Sequence, residues 1–270
     1  RQKYLNNHLM KFKLILRQKS GNKIPFNYQY PLSAVIYKII DRADKDYAER
    51  IHKDGYGKGF KFFTFSELNF KSIKWDKEGL LVGEQEVLSL YIDWFIPKAY
   101  QNFMKGIFKD KVIDIADKSC KTSFEIISVE IVETHISQYK DNEIIKVDLL
   151  PTSPICVGRK NERGNYDYLK PDDENFTQYL LKNWKEKIKT LFPNESPPYL
   201  NIEISKAEEA KSKLVILKAG TPQETKIKGY KNFQIELVGR KKDIELFISG
   251  GLGIHNAQGM GSVKIIENNK

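Results

Sequence analysis

A chain of 270 residues with 40% hydrophobic content has room for one large core or two ordinary ones, and none of its apolar runs approaches the roughly 18 residues of a membrane span. Against 35 Asp and Glu stand 45 Lys and Arg, and the formal charge of +10 suits a polyanionic partner, nucleic acid ahead of an anionic membrane surface. Two cysteines, Cys120 and Cys156, are too few for a disulfide framework and point to a reducing cytoplasm, while four scattered histidines without HxxxH or CxxC spacing leave no metal or other cofactor to expect.

Arg1 to Leu9 is polar and lacks the apolar segment of a signal peptide, so Met10 reads as the start and the residues before it as an extension. KFKLIL, from Lys11, alternates as a first strand. Pro31 marks the start of a helix whose stripe is Leu32, Val35, Ile36, Ile39 and Ile40, with Tyr37 on its flank. A short helix follows, with Tyr47, Ala48 and Ile51 as its apolar face, His52 in its last turn and Gly55 placed to end it. GYGKGFKFFTFSEL then reads as a basic, glycine-broken loop running into an aromatic strand. Ile73, Leu80, Leu81 and Val82 suggest a hairpin, Val87 to Ile96 a strand, and Tyr100, Phe103, Met104, Ile107 and Phe108 a second amphipathic helix. Strand patterns return at Lys111 to Ile115 and at Ser123 to Val132.

The plan then repeats. Ile144 to Val157 is strand-like, with Pro151 and Pro154 bending it or placing it at an edge. VGRKNERGNY is a basic loop in which Arg159, Lys160 and Arg163 either bind phosphate or stay solvated. Phe176, Leu180, Trp184, Ile188 and Leu191 mark a helix ended by Pro193. Tyr199 to Ile204, Leu214 to Leu217 and Phe233 to Val238 are strands. Ile244, Phe247 and Ile248 mark the last helix, and Ser262 to Ile266 the last strand. Each half is a β-α-β-β-α-β unit, an α+β chain of tandem ferredoxin-like domains over 10–137 and 138–270, joined through the polar stretch Glu133 to Glu143.

Between the last helix and the last strand lies GGLGIHNAQGMG, with five glycines, Gly250, Gly251, Gly253, Gly259 and Gly261, in twelve residues. Dinucleotide and P-loop fingerprints need strand, glycines, helix, and a P-loop also needs GK[ST]; here the order is reversed and no GK[ST] follows, which argues against a nucleotide cofactor. The loop's backbone N–H groups would instead meet RNA phosphates, its glycines would serve tight packing of helix on sheet, and the two roles are compatible.

KFKLIL with PFNYQYPLSAVIYKII, KFFTFSEL, LLPTSPICV and GGLGIHNAQGMGSVKI, in that order, resemble the CRISPR-associated endoribonucleases that process precursor CRISPR RNA, family six of the Cas proteins within the RAMP superfamily. The resemblance covers almost the whole chain from Met10. It implies tandem ferredoxin-like domains and metal-independent cleavage within a CRISPR repeat, giving 2′,3′-cyclic phosphate and 5′-hydroxyl ends. Its partners would be repeat RNA and other Cas proteins of an interference complex, with a homodimer open and no membrane involved. A non-cleaving RAMP subunit that coats RNA in such a complex is the competing function.

The family's tyrosine, histidine and lysine map onto Tyr37, His52 and Lys61, with Lys58 competing for the lysine role. RNA supplies its own 2′-hydroxyl nucleophile, so the protein must align it, move two protons and steady the growing charge. His52 suits a proton transfer because imidazole titrates near neutrality. Its helix C-terminus favours the cation and the basic loop opposes it, which leaves the sign of the balance open. Tyr37 would orient the 2′-hydroxyl or share the base role, and Lys61 would hold the scissile phosphate. Gly250, Gly251, Gly253, His255, Gly259, Gly261, Lys58, Arg159 and Lys160 are the RNA-binding candidates.

Overall fold

A computed structural model describes residues 10–162, 164–194, 199–218 and 221–266; the expectations for residues 1–9 and for Arg163 lie outside them. The first half of the chain runs β1 (Met10–Ser20), β2 (Lys23–Ile24), α1 (Gln29–Ala43), α2 (Lys45–Lys53), β3 (Phe63–Phe65), β4 (Leu80–Leu81), β5 (Val87–Trp94), α3 (Pro97–Lys109), β6 (Val112–Ala116) and β7 (Lys121–Val132). The second half runs β8 (Ile144–Pro151), β9 (Gly158–Lys160), β10 (Tyr166–Tyr168), α4 (Phe176–Leu191), β11 (Leu200–Ser205), β12 (Lys211–Leu217), β13 (Thr225–Lys231), β14 (Gln234–Arg240), α5 (Lys241–Ser249) and β15 (Val263–Ile265).

The first half builds a sheet in the order β3-β5-β1-β7-β6, and the second builds β11-β14-β8-β15. Every pairing in both is antiparallel. Numbered from the strand that leads into the first helix of each half, the order is 2-3-1-4 twice, which is the ferredoxin-like arrangement; β6 is an added edge strand. In each sheet the strand that opens the half lies inside, β1 between β5 and β7, β8 between β14 and β15.

Local chemistry fixes the elements that later carry the site. All five stripe residues of α1 are buried. Gly106 of α3 lets the two helices close, since a Cβ there would sit 1.8 Å from the Ile39 carbonyl oxygen. Asp44 caps α2 by accepting the Tyr47 N–H at 3.0 Å. Past the end of α2, Gly55 turns at φ +68°, and its N–H donates to the Arg50 carbonyl at 3.1 Å. One continuous apolar core runs from the first sheet into the second. Hydrogen bonds also cross between the halves: Ser33 Oγ donates to the Ala257 carbonyl at 2.6 Å and Thr64 Oγ1 to that of Met260 at 2.8 Å.

Several elements differ from the sequence expectation. Phe108 is 77% exposed, because the buried face of α3 is Ala99, Asn102, Phe103, Gly106 and Ile107, and the Tyr100–Met104 ridge runs off the core at Phe108. Ile73 is likewise exposed, although the hairpin expected there forms, with Leu80 bridging Trp75 and the Leu81 N–H donating to the Lys74 carbonyl at 2.9 Å, and Leu80–Leu81 also pairs with Lys23–Ile24. The basic loop after Val157 is the hairpin β9–β10, and Thr225–Lys231 is a strand whose alternation is masked by lysines.

Candidate active site

A cleft of about 760 Å³ opens between the halves. One wall is α1, the end of α2 and residues 58–62; the other is β9–β10, α4 and residues 253–258. Among the described residues, six basic side chains line it, Lys58, Lys61, Arg159, Lys160, Lys182 and Lys187, against the single acid Glu186. A surface of that sign with low-dielectric walls concentrates a polyanion.

The cleft brings Tyr37, His52 and Lys61 together. Because the buried stripe of α1 faces the core, Tyr37 leaves the helix on its flank. Its ring meets His52 edge-on with centroids 4.7 Å apart, and meets Phe63 at 5.6 Å. Burial pushes the Tyr37 phenol above its ordinary value. That shift favours the protonated phenol, a hydrogen-bond donor. His52 is exposed at the end of α2, and the Lys61 ammonium donates to its backbone carbonyl at 2.8 Å. Partial burial lowers the Lys61 ammonium, while Asp54 opposes the shift. Lys58 is exposed instead and reaches across to α4, where it pairs with Glu186 at 3.0 Å. Only Lys61 is anchored on the turn that carries His52.

The glycine-rich loop is a packed object. All five of its glycines are buried. The N–H groups of Gly250, Gly251, Gly259 and Gly261 donate to the carbonyls of Leu246, Ile248, Asn256 and Pro154 at 2.9–3.1 Å. Those four donors are engaged within the protein, so tight packing is one role of the loop, and the strip 253–258 faces the cleft. Gly253 and Gly261 sit at φ +69° and +82°, where a Cβ would stand 2.1 Å from the Cys156 carbonyl oxygen and 2.0 Å from that of Leu252. Gly253→Ala should therefore cost about 2–5 kcal/mol, strain and overpacking together, and lower the melting temperature by roughly 5–15 °C. Gly164→Ala is the control, sharing a positive φ of +78° with nothing within 4 Å. Equal melting shifts in the two variants would show that loop packing is not limiting.

His255 takes a left-handed φ of 63°, and its Nε2 lies 3.2 Å from the Tyr168 hydroxyl, with the Tyr166 ring edge-on at 5.6 Å. Burial brings its imidazole down to about 4, with neighbouring Gln258 opposing the shift, so at neutral pH it is a neutral hydrogen-bonding group. Arg159 stands 3.9 Å from Asp167, and the Lys160 ammonium lies 5.8 Å from the Tyr166 ring. Among the described residues, no three His, Cys, Asp or Glu side chains gather as ligands for a metal ion.

Sequence reasoning passed over Lys187, Tyr166 and Tyr168. The signal for Lys187 was available: it lies seven residues after Leu180 and three after Trp184, so it occupies the buried stripe of α4 where an apolar residue belongs. No comparable pattern marks the tyrosines, which meet His255 only through the tertiary fold.

Comparison with known proteins places the chain. The model for the CRISPR-associated protein Cas6 N-terminal domain matches residues 23–126, and that for the Cas6 C-terminal domain matches residues 133–265. A CRISPR-associated endoribonuclease Cas6 from Methanocaldococcus jannaschii is 29% identical over 203 residues, which is 73% of this chain and 72% of the relative. The structure of the product of a Cas6-related gene from Pyrococcus furiosus superposes with a TM-score of 0.78 at 21% identity, over 97% of this chain and all of that one. A RAMP protein described as binding different RNA substrates gives 0.76 at 20% identity, over 96% of this chain and all of that one. At these identities the two structures bear on the fold alone.

Proposed function

The chain belongs to the Cas6 family of CRISPR-associated endoribonucleases, and we propose that it cuts precursor CRISPR RNA within the repeat without a metal ion, through Tyr37, His52 and Lys61. The observation that carries the mechanism is the meeting of these three side chains at one edge of a cleft lined by six basic residues. Repeat RNA lies along the cleft, its phosphates drawn by Lys58, Arg159, Lys160 and Lys182. The 2′-hydroxyl of the nucleotide before the cut attacks the adjacent phosphorus, the bond to the departing 5′-oxygen breaks, and the products are a 2′,3′-cyclic phosphate and a 5′-hydroxyl.

His52, exposed and therefore free to meet substrate, moves a proton at the reacting oxygens. Tyr37, held protonated by burial, donates a hydrogen bond that orients the attacking hydroxyl or the phosphate oxygen. Lys61 spends one of its three donors on the His52 carbonyl and turns the others toward the charge growing on the phosphate. Lys58, paired with Glu186 at the opposite wall, takes the role of a binding cation.

The test is incubation of the purified protein with repeat RNA in excess EDTA, followed by end analysis of the fragments. Cleavage at an unchanged rate, with a cyclic phosphate on the 5′ fragment, is the expected result. An absolute need for Mg²⁺ would defeat the acid–base assignment. Binding without cleavage in either buffer would favour the non-cleaving RAMP reading.

A further inference from the structure

Lys187 is buried in the wall of the cleft, and its ammonium hydrogen-bonds to the glycine-rich loop. Its Nζ donates to the carbonyls of Gly250 at 3.2 Å, Gly251 at 2.6 Å and Gly253 at 3.1 Å, and to Asn256 Oδ1 at 2.7 Å. Four oxygens around one nitrogen form a cage of the kind that holds a small cation. Left empty, the cage would bring four partial negative charges together with nothing to offset them. A neutral amine would not fill it, since it has two donors and would set its lone pair against an oxygen. Burial nevertheless lowers this ammonium, to about 7, so the cage and the surrounding apolar wall pull in opposite directions.

The loop's own design closes around the same point. Asn256 Nδ2 donates to the carbonyls of Leu252 at 2.9 Å and Met260 at 3.0 Å, while its Oδ1 faces Lys187. A Cβ on Gly251 or Gly261 would stand 2.6 Å from that Nδ2, so the glycines leave the space that Asn256 fills. The caged turn leads directly into the left-handed His255 and the strip that faces the cleft. The Lys187 ammonium also lies 6.0 Å from the ring of Phe60, next to Lys61 on the opposite wall.

Resting on the reading that repeat RNA occupies this cleft, we propose that Lys187 is a positioning residue for RNA binding: its ammonium sets the conformation of the glycine-rich loop and so presents residues 253–258 to the substrate. Tyr37, His52 and Lys61 are held by α1, α2 and the chain before β3, with none of which Lys187 forms a hydrogen bond, its approach to Phe60 being a 6.0 Å contact with the ring. Its loss therefore falls on affinity and spares the chemical step.

The experiment compares wild type with Lys187→Met, which keeps most of the volume and removes the four hydrogen bonds. The probe is fluorescent repeat RNA from the host's own CRISPR arrays, blocked by 2′-deoxy nucleotides around the cut and titrated by anisotropy in EDTA. Affinity should weaken by about 10- to 100-fold, while the single-turnover rate on unmodified RNA at saturating enzyme stays within about threefold of wild type. Lys187→Ala with added propylammonium should recover affinity, and the same concentration of tetramethylammonium should not. Wild type that fails to bind the probe would sink the RNA reading of the cleft. Wild type that binds, with Lys187→Met within about twofold of it, would leave that reading standing and overturn the role of Lys187. An equal affinity with a slowed saturated rate would also overturn it. So would failure of both variants to fold even with the amine, since the ammonium would then serve the fold alone.

Discussion

A repeat RNA with one 2′-deoxy nucleotide just upstream of the cut should bind the cleft with near-normal affinity and yield no product. The protein side of the site holds an imidazole, a protonated phenol and an ammonium, which are groups for moving protons and steadying charge rather than for attacking phosphorus. In the mechanism we propose, the nucleophile is then the neighbouring hydroxyl of the substrate. An internal group already in place is worth an effective concentration of about 10⁵–10⁸ M, and deleting it removes that advantage at one stroke. Affinity should survive, because one hydroxyl contributes little beside the phosphate contacts offered by Lys58, Arg159, Lys160 and Lys182. Cutting of the deoxy substrate at the normal rate would mean that attack comes from water, and Tyr37, His52 and Lys61 would lose the roles assigned to them.

The fold was legible wherever burial imposes a period. The α1 stripe, the short α2 with its terminating Gly55, the aromatic β3 and the α4 stripe are all written as spacings, since one face of each must meet the core. Legibility failed where a segment is built by pairing rather than by burial. The β9–β10 hairpin reads as a basic loop because only its Tyr166 and Tyr168 carry apolar surface, and β13 hides behind lysines on its open face. The site divides in the same way. Tyr37, His52 and Lys61 were marked by the family resemblance, and the packing of α1, α2 and the chain before β3 brings them together. Lys187 and the strip 253–258 meet across some seventy residues, and the distance between Lys187 and Gly253 in sequence is 66. The glycines were visible from the start, yet what they do was not: composition marks a close approach, and only the fold shows that the approach is to the protein's own Asn256, Cys156 and Phe65.

His52→Ala should slow single-turnover cleavage by about 10²- to 10⁴-fold and leave RNA affinity within a small factor of wild type. The substitution is unusually clean in this structure. His52 is exposed, so truncation opens no cavity in the core. Lys61 is anchored on the backbone carbonyl of His52, not on its ring, so the ammonium keeps its 2.8 Å hydrogen bond when the side chain goes. What is lost is one edge-on contact with Tyr37, worth about 0.5–1.5 kcal/mol, which the continuous core tolerates. The deficit in rate then reports proton transfer and little else. His255→Ala is the matched comparison, since that histidine lines the same cleft but is held neutral by burial against Tyr168, on the wall away from Tyr37. It should weaken binding and spare the rate at saturation. If the two variants exchange their effects, with His255→Ala crippling the chemical step and His52→Ala cutting at full speed, then the proton moves on the glycine-loop side of the cleft and the assignment to α2 fails.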